Sequence, residues 1–174
     1  MKYLKYYVFL TSCCLLTAFT TLDKNAFSIQ DEDKTFVKAA AEGGLLEVKL
    51  GELAMKNGNS KAVKDYGKMM ISDHSKVNKE LTNLAKKKQM EIPTALSPAK
   101  QQKYDSLAAV KDNTFDMVYM NMMILSHEQT IGIFQNEASA GTDPDFKEWA
   151  DSKVPALKHH LEMAESLFQT ANKK

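Results

Sequence analysis

From Asp33 onward, apolar residues recur every third or fourth position, and no stretch alternates residue by residue as a half-buried strand would. A chain patterned this way can bury its apolar surface only by packing helices against one another. Phe36, Ala40, Gly43, Glu47, Leu50 and Ala54 trace the seam of a first helix from about Asp33 to Lys56. Asn57-Gly58-Asn59 stops it, and Asn59 or Ser60 caps the next. The second helix reaches about Lys88 along Val63, Gly67, Met70, His74, Val77, Leu81 and Leu84. Its last turn carries Lys86, Lys87 and Lys88, read as a solvated end that suits the negative pole of the helix dipole.

Gln89 to Lys111 forms the longest connection, with Pro93 as a breaker and Ser97-Pro98 opening a short helix to about Val110. A third long helix runs from near Asp112 to Gly141 on Met120, Met123, His127, Thr130 and Phe134. Asp143-Pro144 starts the fourth, with Phe146, Trp149, Lys153, Ala156, His160, Met163 and Leu167 as its seam. Pro155 predicts a kink or break there, because it removes one hydrogen bond and crowds the preceding turn. Gly43, Gly44 and Gly51 predict close helix approach, or room for a bulky neighbour such as Trp149. These elements imply an all-α, up-down-up-down four-helix bundle over residues 33–172, with a short extra helix between helices two and three.

His74, His127 and His160 each fall mid-helix on an apolar seam, and Glu47 does so on the first helix. In the expected arrangement His74 and His127 sit at one level, with His160 and Glu47 offset by about 6–7 Å at the helical rise. Glu42 matches His74 in depth but lies at the edge of its stripe. Three imidazoles and a carboxylate suit a single zinc, iron or copper ion, and Asp73, Glu128, His159 and Glu162 could orient the rings. Positions 71, 124 and 157 are Ile, Ile and Leu, so no histidine has a glutamate three residues before it. That excludes the paired Glu-x-x-His di-iron arrangement. A polar core network, with the histidines bonded to Glu47, Tyr66 or Tyr119, is the alternative; it would make the protein a pH-sensitive structural or interaction module. Met69, Met70, Met117, Met120, Met122 and Met123 suggest copper in one reading and core filler in the other.

Composition narrows the partners. The net charge is +1 and all basic residues are lysine, which argues against nucleic-acid binding. Lys2 and Lys5 precede an almost wholly apolar run from Tyr6 to Phe19, the pattern of an export signal over residues 1–20, with 21–32 as a tether. Both cysteines lie in that run. Leu10-Thr11-Ser12-Cys13 resembles a lipobox, in which Cys13 would carry the lipid and provide the protein's only membrane attachment; cleavage near Thr20 is the other reading.

Phe36-Val37-Lys38-Ala39-Ala40-Ala41-Glu42-Gly43-Gly44, Glu47 and Gly51-Glu52-Leu53-Ala54 form a recognisable opening. With Met69 to His74, Tyr119 to His127, and Leu157 to His160-Leu161 and Ala164, they resemble the bacterial family known as the domain of unknown function numbered 4142. The resemblance covers residues 33–170. It implies a ferritin-like bundle, location in the periplasm or at the outer membrane, and Glu42, Glu47, His74, His127 and His160 as site residues. It implies no activity.

Overall fold

The computed structural model describes residues 24–172. The expected signal and Cys13 lie outside them. Five helices follow in order: α1 (Lys24–Asn57), α2 (Lys61–Lys87), α3 (Pro98–Ala108), α4 (Phe115–Ala140) and α5 (Pro144–Ala171). The all-α bundle with a short helix between two long pairs is as expected. α1 starts at Lys24, so residues 24–32 of the expected tether are helical; no glycine or proline interrupts the chain before Gly43. Among the described residues, no helix is long and apolar enough to cross a membrane.

The running direction differs from the expected up-down-up-down order. Asp116, at the start of α4, accepts hydrogen bonds from Asn59 N (2.7 Å) and Ser60 N (2.8 Å), at the start of α2. Asp33, near the start of α1, accepts from Thr142 N (2.9 Å) and Asp143 N (3.0 Å), at the turn after α4. Lys88, just past α2, pairs with Asp143 (2.8 Å) and Asp145 (2.7 Å) at that same end. It is therefore an ion-paired tie and not simply a solvated helix end. The helices thus run up, down, down and up. The connection from Lys88 to Thr114 is long enough to return along α2, which at 27 residues spans about 40 Å. One such crossover is the pattern of ferritin-like bundles.

Local signals act largely where expected. Ser60 caps α2 by accepting from Val63 N, and Asp143 caps α5 by accepting from Asp145 N and Phe146 N. Ser97 precedes α3 but makes no cap bond; its hydroxyl donates to Glu42 instead. α5 passes through Pro155 without a break. The carbonyl that Pro155 leaves unpaired belongs to Asp151, an exposed residue where water can serve it. α5 also buries a rotated stripe, Phe146, Ala150, Val154, Leu157, His160 and Ala164, leaving Trp149 and Lys153 at its flank and Ala156 exposed.

Glycines let α1 and α2 approach closely. A Cβ at Gly67 would stand 2.8 Å from Ala54 Cβ, and one at Gly51 would stand 2.7 Å from the Gly67 carbonyl. Trp149 plays no part in this; it packs on Phe36 and Phe134.

The core divides in two. Leu46, Leu50, Tyr66, Met70, Tyr119, Met120 and Met123 belong to one apolar cluster. Phe36, Val37, Leu81, Ile131, Phe134, Phe146 and Leu157 belong to the other. Along α2, α4 and α5, the buried histidines fall between these clusters.

Candidate metal centre

Three helices each bring one histidine to this polar layer: His74 from α2, His127 from α4 and His160 from α5. Because α2 and α4 start at the same end, His74 and His127 are level by near-equal distance from that end. The three rings form an almost equilateral triangle, with centroids 5.8, 5.5 and 5.5 Å apart. They are 6%, 1% and 4% exposed. One nitrogen from each ring lies within 4.8 Å of the other two.

Hydrogen bonding sets the tautomers. His127 Nδ1 lies 2.9 Å from the Met123 carbonyl, which can only accept, so Nδ1 carries the proton. His160 Nε2 lies 3.2 Å from Asp73 Oδ2 and donates to that carboxylate. His74 Nε2, His127 Nε2 and His160 Nδ1 are buried with no hydrogen-bond partner. Burial, then the nearby His127 and His160, pushes His74 down to about 3. Burial, then His127, also lowers His160, against the pull of Asp73. Both rings are therefore neutral at pH 7, the form that binds a metal.

The three histidines open on a cavity of about 290 Å³ that is also lined by Glu47, Glu42, Ser126 and Lys100. Glu47 is 4% exposed; its Oε1 accepts from Ser126 Oγ at 2.5 Å, while Oε2 has no partner. Neither Glu47 nor Glu42 belongs to the close histidine group. One oxygen of each is engaged by a serine, Ser126 and Ser97 respectively.

The residues fit a metal ion. Imidazole nitrogens at about 2.0–2.1 Å from a tetrahedral or trigonal ion stand about 3.3–3.6 Å apart, so the rings need to move by only about 1 Å. Each ring keeps one buried nitrogen without a partner, and two of the rings have their other nitrogen anchored, the support that metal-binding histidines ordinarily have.

The sequence profile of the domain of unknown function DUF4142 matches residues 19–167. The chain belongs to this family. No curated protein matches it in sequence. A solved structure described as CopM in the Cu(I)-bound form shares the DUF4142 chain's fold, with a TM-score of 0.66 and 16% identity, over 79% of this chain and 96% of the other.

Of the residues expected to orient the rings in this DUF4142 chain, Asp73 does so, whereas Glu128, His159 and Glu162 are exposed. No methionine lines the cavity; Met70, Met120 and Met123 are fully buried in the neighbouring apolar cluster. Nor do the rings bond to Glu47 or the tyrosines. Tyr66 Oη donates to the backbone carbonyl of His160, and Tyr119 Oη has no partner. Sequence reasoning missed Lys100 and the role of Ser126. Lys100 sits on the short helix, whose placement across the bundle no local pattern reveals, and Ser126 is off the seam.

Proposed function

We propose that this protein holds one transition-metal ion between His74, His127 and His160, and that copper is the ion to expect. One observation carries the reading: three convergent rings each keep a buried nitrogen with no partner. A polar network would use those nitrogens, since an unmet buried polar atom costs about 1–3 kcal/mol. A metal would satisfy all three at once. The donor set is imidazole without thiolate or carboxylate, which suits copper or zinc better than magnesium or calcium. The Cu(I)-bound state of a protein with this fold adds weight to copper. The basic and apolar N-terminal segment supports a periplasmic or outer-membrane location, which the mass of the mature protein, with or without lipid on Cys13, would test.

Equilibrium dialysis against Cu(I), Zn(II) and Fe(II) in turn tests the site. One ion per chain is expected, lost in His127→Ala. Failure to retain any ion, or full retention by that variant, defeats the reading.

A further inference from the structure

Outside the cavity, α1 and α4 enclose a wider groove of about 680 Å³, lined by Asp31, Glu32 and Glu137 among others. The two spaces share Ala39, Gln129 and Ile133 as lining residues, so they meet at one wall between the helices. Next to this wall, α1 carries small residues. Ala39, Ala40, Gly43 and Gly44 line the cavity, and a Cβ at Gly43 would meet nothing within 4 Å. Gly132 leaves similar space on the groove side.

Each chamber contains a buried glutamate with one oxygen unpartnered, although burial and Asp33 favour the protonated form of the outer one. Glu137 is 3% exposed with Oε1 unpartnered, and Glu47 is 4% exposed with Oε2 unpartnered. Lys153, which also lines the inner cavity, is committed to Glu80 at 2.6 Å. Lys100 is the remaining cation there, close enough to Glu47 and Glu42 for them to favour its charge against burial.

We infer that the groove and cavity form the access route for the metal cation. It is collected at Asp31 and Glu32, passes Ala39, Gln129 and Ile133, and is held by Glu47 before the histidines take it. Lys100 balances Glu47 and Glu42 until the cation arrives. Glu47 is thus a transfer residue that lies outside the final ligand set. An acidic path of this kind raises the local cation concentration and so accelerates capture.

The route rests on the three-histidine reading, and rate and equilibrium measurements separate the two. Cu(I) supplied as its bicinchoninate complex is mixed with the full-length protein, and loss of the complex's colour is followed in time. Glu47→Gln, which keeps the shape and an acceptor for Ser126, is expected to slow loading by about ten-fold or more. Final affinity should stay within about two-fold, since an access residue acts on the rate of association. Ala39→Phe, which narrows the passage, should slow loading likewise. Unchanged loading rates in both variants would overturn the route, as would a Glu47→Gln affinity loss as large as that of His127→Ala. A wild-type protein that takes up no Cu(I) would overturn the histidine site itself, and the route with it.

Discussion

Asp73 lies one position before His74 on α2 yet acts on α5, where its carboxylate accepts a hydrogen bond from His160 Nε2. The effect is to leave Nδ1 as the lone-pair nitrogen and to hold the ring's plane. His127 is oriented differently, by the carbonyl four residues earlier on its own helix. Only the first device can be removed by a side-chain substitution. Asp73→Ala should therefore weaken metal binding about 10–100-fold, the usual cost of losing such a support, while leaving one ion per chain. A competition titration against a chelator reads this directly. Affinity unchanged from wild type would mean that packing alone holds the His160 ring.

At the scale of helices, two buried aspartates do reciprocal work. Asp33, from α1, receives the Thr142 hydroxyl and two amides of the α4–α5 turn; Asp116, from α4, receives two amides of the α1–α2 turn. Each pair of helices thus has its turn secured by the other pair, which fixes their relative depth and hence the level of the histidines. Hydrogen bonds to a charged group contribute about 1.5–3 kcal/mol each, part of it recovered by water when the acceptor goes. Asp116→Ala should cost about 2–4 kcal/mol in urea unfolding, with metal stoichiometry retained. A loss below about 0.5 kcal/mol, the range of ordinary surface changes, would show that the turn needs no such anchor.

For the molecule as a whole, pH acts through buried groups of opposite sign, His74 and His160 on one side and Glu137 on the other. His74, pushed down to about 3, rejects a proton that the unfolded chain takes up below about pH 6.5. Its contribution to stability is full above pH 6.5 and is lost as pH falls toward 3. Glu137, raised to about 7 by burial and then by Asp33, keeps a proton that the unfolded chain releases above about 4.5. Its contribution is full below pH 4.5 and is lost as pH rises toward 7. Between pH 4.5 and 6.5 the Glu137 slope opposes that of His74, to which His160 adds, so metal-free wild-type protein should lose less stability on acidification there than a variant without the Glu137 carboxyl. Glu137→Gln should expose the histidine slope, with stability falling by about 1–3 kcal/mol from pH 6.5 to 4.5. Urea midpoints across that range provide the check; a level profile in the variant would remove the histidines as the source.

The helices, most of their ends and the three histidines were legible in the sequence, because helical periodicity, caps and breakers are local. Ser60 and Asp143 cap where their residue types say they should, and His74, His127 and His160 lie on buried faces as their spacing implies. The direction of α4 was not legible. A connection as long as Lys88 to Thr114 can either turn or cross over, and the choice rests on contacts such as Asp116 to Asn59 that are distant in sequence. The same holds for the site. Periodicity places a side chain on a face, whereas the spare nitrogens of three rings, the Ser126 bond on Glu47 and the place of Lys100 depend on how neighbouring helices are rotated and spaced. The sequence alone therefore determined an all-α bundle with a polar layer of histidines. Only tertiary packing decided that the layer is a triangle of imidazole rings, each with an unpartnered nitrogen, because those distances arise between helices and not along any one of them.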